Sequence, residues 1–420
     1  MRAAQRGISQ PGFFGWRVVA AVFVLAAFGW GLGFYGPPVY LHWVRAERGW
    51  PVALVSTAVT VHFLFGAIVI ANLPRLHGRF GVARVTKAGC VVLAIGVVGW
   101  ALATQPWQLF LATLLSGSGW VTMGAAAVNA IIAPWFVRTR PAALAAAYNG
   151  SSVGGVIFSP LWVAAIGAMG FLWAAIVIGL VMVVAIWALA DVYYASTPEQ
   201  LGLTADGHAP AAVAAHASPM ARPLPGGRLS RDRRFPTLAC AMALGLFAQI
   251  GLIAHLFSLL VPALGARLAG VAAGAATASA IAGRTLVGWL LPAGADRRLV
   301  ACGNAGVQIL GSLALLLAAG DSAPLLLLGI ALFGVGIGNT TSLPPLIAQA
   351  EFLEKDALRV VPLIVAISQT AYAFAPAAFG LIRELAPDAG APGAAPILFA
   401  VAALIQALAI AAFLLGRGRG

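Results

Sequence analysis

The sequence predicts an all-α membrane protein: twelve transmembrane helices in two six-helix bundles. Three observations predict it. The 420 residues are 61% hydrophobic and only 9% charged, with a mean hydropathy of +0.95, where a soluble domain carries about 25% charged residues. Apolar runs of about 20 residues recur along the chain, the length an α-helix needs to cross a bilayer, and not the short alternating segments of an outer-membrane barrel. One long polar stretch, at about 195–235, divides them into two sets.

The expected spans of the first half are roughly 17–41, 52–73, 84–103, 107–132, 143–168 and 171–194. The first, from about Val18 to Leu41, is too long for a signal-peptide core, and no clear small-residue cleavage site follows, so it is expected to be retained. It carries Gly29, Gly31 and Gly33 and ends near Pro37-Pro38. Gly117 and Gly119 fall in the fourth span and Pro160 in the fifth. The spans of the second half are roughly 236–263, 268–292, 298–319, 323–349, 359–383 and 396–415. The tenth holds Gly334, Gly336, Gly338 and Pro344-Pro345; the eleventh holds Pro376. These glycines are not phosphate loops, because no strand precedes them and no Gly-Lys-Ser follows. In membrane helices small residues permit close packing, and prolines remove backbone bonds and bend the helix. The domain division is therefore 1–194, a linker at 195–235, and 236–420. The linker is rich in proline and carries Arg228, Arg231, Arg233 and Arg234.

A net charge of +13 would fit a nucleic-acid binder, but here the basic residues are scattered over short loops, which is how membrane topology is specified. With the N-terminus in the cytoplasm, twenty Lys and Arg fall inside and four outside, Arg45, Arg48, Arg267 and Arg383; Arg284 completes the 25. This places both termini and the linker inside. Lys occurs only at Lys87 and Lys355, which with abundant Ala, Gly and Pro points to a GC-rich bacterial genome and a bacterial inner membrane. Cys90, Cys240 and Cys302 lie in or beside apolar runs and read as free thiols. No ligand spacing for a metal, no nucleotide motif and no nucleophile–base pair is present, so neither a cofactor nor an enzyme is expected.

Arg284 stands inside the apolar run from Leu268 to Leu291. A guanidinium stays charged at any ordinary pH, and near mid-membrane it costs at least about 2.5–3.5 kcal/mol. All twelve acidic residues fall in loops or at helix ends, so the simplest expectation is that a substrate brings the negative charge. Arg284 sits roughly 6 Å past the midpoint of its helix at 1.5 Å per residue, the depth of transporter sites. The structural alternative is a clamp on helix carbonyls. His62 and His255 are the intramembrane groups able to carry a proton near neutral pH; the alternative for each is a neutral ring donating one hydrogen bond. Tyr35, Asn129, Tyr148, Asn149, Asn339, Gln369 and Tyr372 could line a cavity and bond an anion without adding charge, or could simply bond between helices.

Local motifs add a resemblance. Gly78-Arg79-Phe80-Gly81-Val82-Ala83-Arg84 follows the second span and resembles the loop signature Asp-Arg-x-Gly-x-Arg-Arg of the major facilitator superfamily; the matching loop of the second half reads Asp296-Arg297-Arg298. The resemblance implies a cytoplasmic gate built on Gly78, Arg79, Gly81, Arg84, Asp296 and Arg297, with Gly78 standing where the family has Asp. Gly15-Trp16-Arg17, the run Pro134 to Arg140, Ala145 to Gly150 with Gly154-Gly155, and Gly283-Arg284 together resemble the monocarboxylate and oxalate/formate transporter branch. That resemblance implies that Arg284 matches the helix 8 Arg that binds substrate carboxylate. Helix 1 lacks the Lys of animal monocarboxylate carriers. Helix 11 carries Ser368, Gln369, Thr370 and Tyr372 in place of the second cation of oxalate exchangers. One strong cation fits a monoanion.

The expected function is secondary transport of a small monocarboxylate by alternating access. Protons are the expected coupling ion, the lipid bilayer is the expected surrounding, and a monomer is expected to suffice. The alternatives are a carboxylate exchanger without proton coupling and an exporter of drugs or lipophilic compounds. Such exporters usually carry a membrane carboxylate and a Gly-x-x-x-Gly-Pro-x-x-Gly-Gly run. Here Gly150-x-x-x-Gly154-Gly155 lacks the proline in place.

Overall fold

The computed structural model describes residues 13–207, 229, 231–290, 295–386 and 392–417. Most of the linker, including Arg228, lies outside these residues. The described elements are all helical: α1 (Phe14–Gly33), α2 (Gly36–Arg48), α3 (Val52–Phe80), α4 (Val82–Leu102), α5 (Pro106–Val121), α6 (Ala125–Ile132), α7 (Arg140–Leu189), α8 (Arg234–Leu290), α9 (Arg297–Leu317), α10 (Ala323–Glu351), α11 (Glu354–Ala373), α12 (Ala375–Leu385) and α13 (Pro396–Leu415).

Ten stretches among the described residues are long and apolar enough to cross a membrane. Two of them, Ala142–Tyr194 and Arg234–Trp289, run to 53 and 56 residues. At 1.5 Å per residue that is about 80 Å, more than twice a hydrocarbon core of about 30 Å. Each is broken once, at Gly170 (φ 79°, ψ 161°) and at Gly265 (φ 70°, ψ 160°). Only glycine adopts that backbone region readily. Each long stretch is therefore two passes joined by a single residue, and the ten stretches account for the twelve expected spans.

Several boundaries differ from the sequence expectation. The first span breaks at Phe34–Tyr35, and α2 carries on to Arg48. Pro37 and Pro38 were expected to bend a helix; instead they stand in the first turn of α2, where a missing N–H leaves no bond unmade. Pro376 likewise opens α12. Helix α3 continues to Phe80, so Gly78 and Arg79 are helical where a loop was expected. Gly81 (φ 82°) alone separates α3 from α4.

The chain forms two compact units. The first takes α1, the part of α3 from Phe65, α4, α5, α6, and α7 up to Gly154 and from Met169. Gly96 and Gly119 let α4 and α5 approach backbone to backbone, and the Trp100 indole donates to Ser116 Oγ at 3.2 Å across them. Gly154 meets the Ala27 carbonyl where α7 crosses α1. Buried Trp100, Trp135 and Phe136 fill the interior.

The second unit takes α2, the part of α3 up to Leu64, residues 155–168 of α7, and everything from α8 onward. Its core includes Leu238, Met242, Leu343, Ile347, Val360, Ile364 and Phe413. Helix α3 joins α12 where Ala377 N–H donates to Thr60 Oγ1 at 3.0 Å.

Candidate functional site

The second unit holds Arg284. It lies in α8, in a stretch long and apolar enough to cross a membrane, and is half-buried. Its guanidinium rests against α10 at Gly338: a Cβ there would stand 3.1 Å from both Nε and Nη2, and 2.7 Å from the Ala280 carbonyl. A side chain at 338 would therefore push the guanidinium aside. One residue on, Asn339 is buried and its amide donates to the Gly283 carbonyl at 3.2 Å. The backbone on either side of Arg284's cradle is thus fixed by α8–α10 contacts. A planar guanidinium carries paired N–H donors, the geometry a carboxylate accepts.

The same unit contains Gln369 and Tyr372 on α11, both half-buried. The Tyr372 ring meets Phe63 edge to face at 6.2 Å, and Phe63 meets His62 at 5.2 Å. His62 is fully buried. His255, also fully buried, lies 3.1 Å from the Pro376 carbonyl through Nε2. A carbonyl can only accept, so Nε2 carries the hydrogen, and the ring ties α8 to α12.

The first unit brings Asn129 and Tyr148 together. The Asn129 amide donates to the Tyr148 hydroxyl at 2.6 Å and to the Ala125 carbonyl at 2.9 Å. The hydroxyl in turn donates to Ala125 at 3.1 Å, and the ring stands edge to face with Trp30 at 6.3 Å. Asn149 is exposed, and Tyr35 is half-buried with its ring against Phe34.

The expected gate residues fall at helix ends. In the first unit Gly78 and Gly81 flank an exposed Arg79, whose guanidinium lies over the Phe80 ring at 5.1 Å. Arg84, also exposed, borders an apolar cavity of about 410 Å3 among Val69, Phe80, Val85 and Gly119. In the second unit Asp296 caps α9 by accepting from the Arg298 and Leu299 N–H groups, and it pairs with Arg417 at 2.7 Å. Burial pushes the Asp296 carboxyl up, but Arg417 and the two backbone N–H groups outweigh it and hold it below the usual carboxylate range. Arg297 donates to the Leu346 carbonyl at 2.5 Å.

Three features escaped the sequence reading. Arg298 is 1% exposed and makes a two-pronged pair with Glu351 at 2.6 and 2.8 Å, while also donating to the Arg234 and Phe413 carbonyls. The only signal was a pair of consecutive arginines, and the sequence does not say which turns inward. Asp206 accepts from the Val137, Arg138 and Thr139 N–H groups and from the Thr139 hydroxyl. Burial raises its carboxyl, yet these four donors together hold it below the usual range. Finally, Gln249, Gln308 and Gln406 are buried amides within apolar spans. Among the described residues no group of three or more His, Cys, Asp or Glu could hold a metal.

The sequence profile of the Major Facilitator Superfamily matches residues 18–380. The chain is 28% identical over 168 residues to MFS-type transporter 1 of Ophiocordyceps sp., covering 39% of this chain and 36% of that protein. It is 32% identical over 126 residues to the aspyridones efflux protein apdF of Emericella nidulans, covering 30% of this chain and 25% of that protein. These matches thus span about a third or less of those relatives. Among solved structures, the nucleoside transporter NupG aligns with a TM-score of 0.69 at 13% identity, over 94% of this chain and 98% of that one. A bacterial homolog of the human lysosomal transporter Spinster aligns with a TM-score of 0.70 at 14% identity, over 97% and 99%. At such identities the likeness is one of fold.

Proposed function

Because this chain belongs to the Major Facilitator Superfamily, we propose that it is a secondary active transporter of a small organic anion with one carboxylate, moved by alternating access and bound by Arg284. The observation that carries this reading is the cradle at Gly338: α10 leaves room for a guanidinium inside an apolar span, where a fixed cation has a large effect on an anion. Gln369 and Tyr372 supply neutral hydrogen bonds on the same unit, and His62 carries the proton of a symport. Asn129 and Tyr148 hold a polar face of the first unit. The proposed setting is a bacterial inner membrane with both termini inside. Six helices fall on each side of the linker at 195–235, and the transporter works as a monomer.

Uptake into proteoliposomes tests the reading, using a panel of monocarboxylates and dicarboxylates with and without an inward proton gradient. Removing one partner of a desolvated charge pair costs about 2–5 kcal/mol. Arg284→Ala should therefore lose roughly 30-fold or more in carboxylate uptake. Gly338→Ala should raise KM, while Gly334→Ala controls for helix packing: a Cβ there meets the Ala276 carbonyl at 2.6 Å and has Ser279 as its next neighbour. Carboxylate flux that survives Arg284→Ala sinks the assignment.

A second reading, export of a larger organic compound, is favoured by the 32% identity to an aspyridones efflux protein over 126 residues. It wins if the liposomes move lipophilic compounds and ignore carboxylates. Anion exchange without protons wins if flux needs a counter-anion and ignores the gradient.

A further inference from the structure

We propose that the second unit binds one ordered water in its interior, in a small, mostly apolar cavity bordered by a few amide and hydroxyl side chains between α8, α9, α10 and α13. The cavity measures about 20 Å3 and is lined by Asn304, Gln308, Thr340 and Gln406, with Met242 and Phe413 among its apolar walls. A water needs about 10–15 Å3, so this space admits one and nothing larger.

The polar groups around it are left one bond short. Gln406 is 0% exposed. Its Oε1 accepts from Ser312 Oγ at 3.3 Å, and its Nε2 is buried without a partner among the described residues. Turning the amide over would pair Nε2 with Ser312 and strand Oε1 instead, so either orientation leaves one polar atom to satisfy. Another network approaches the same cavity. Gln308, 1% exposed, donates from Nε2 to Gln249 Oε1 at 3.0 Å, and its own Oε1 accepts from Thr340 Oγ1 at 3.4 Å. Asn304 donates to the Gly336 carbonyl at 3.1 Å. Water both donates and accepts, so one molecule closes the gap: it accepts from Gln406 and donates to the amide oxygens of α9. Bridged in this way, the two networks become one, linking four helices of the unit. A metal cation fits less well, because no carboxylate lines the cavity.

X-ray radiolytic footprinting reads this directly, because hydroxyl radicals form at bound waters. Met242 and Phe413 are 3% and 6% exposed, so bulk solvent barely reaches them and a water already inside raises their oxidation. Met123 and Met182, both 0% exposed, are the dry controls. In the full-length protein Met242 should be oxidised several-fold faster than either control. Gln406→Leu should bring it down to their level and lower the melting temperature. Two outcomes overturn the proposal on hydration: Met242 oxidised no faster than the controls, or a Gln406→Leu protein that melts higher with unchanged oxidation. A melting temperature that rises with sodium over potassium or choline overturns it in favour of a cation. None of these outcomes depends on which compound is transported.

Discussion

At the scale of single residues, burial decides between side chains that the sequence presents as equals. Arg297 and Arg298 are neighbours, yet Arg297 donates to the Leu346 carbonyl of α10 and Arg298 sits inside the unit on Glu351. A helix turns about 100° per residue, so only one of two neighbours can point inward. Arg284 was legible as a charge in an apolar run; its cradle was not, because Gly338 is far away in sequence and glycines are common in such helices. Asp206 lies in the linker, yet it closes the turn at 137–139 through four donors. Its carboxyl is held below the ordinary range, so the folded state gains from the ionised form. That gain is present above the unfolded value, about pH 3.9, and is lost as pH falls through the lower folded value. Asp206→Asn should therefore lower the melting temperature at neutral pH and flatten its fall on the acid side, as a thermal-shift titration will read. An unchanged acid limb would show that Asp206 is not the group responsible.

At the scale of the element, apolar run length placed every span, but glycine chemistry set the joints. Helices α7 and α8 change direction at Gly170 and Gly265 without a loop. The sequence gives no charged break at Gly170 and only Arg267 beside Gly265, so run length predicts the spans while hiding how they connect. A Cβ at Gly265 meets nothing within 4 Å, so the penalty of substitution is conformational. Gly265→Ala should cost about 1–3 kcal/mol from backbone strain alone, measured as a lower melting temperature in detergent. A neutral result would mean that the joint relaxes to a helical conformation. The prolines teach the converse. Pro37, Pro38 and Pro376 open helices, whereas Pro160, Pro344 and Pro345 lie within them. Proline is compatible with a first turn or with a membrane helix interior, so position within the helix had to come from three dimensions.

At the scale of the whole molecule, the two units end on different devices at their loop-signature helices. The second unit is fastened at Arg298, which joins α9 to Glu351 of α10 and to backbone carbonyls of α8 and α13. The first has Gly78 in place of a carboxylate, with Arg79 lying over Phe80. Removing one member of a buried pair costs about 3–5 kcal/mol, because the other charge is stranded. Glu351→Ala should fall toward the lower end, since Glu351 itself is 23% exposed; chemical unfolding of the purified protein checks it. Arg84→Ala, on an exposed side chain, should change stability by less than about 0.5 kcal/mol.

The sequence by itself determined the class, the number of spans, their order and the position of Arg284 inside an apolar run, because a bilayer tolerates few charges and demands a fixed length of apolar helix. Tertiary structure decided which helices approach, which of two arginines is buried, where Asp206 folds back, and that Gly338 rather than any charged residue makes room for Arg284. Those outcomes depend on pairs of residues distant in sequence, and apolar helices of similar composition carry no local mark of their neighbours.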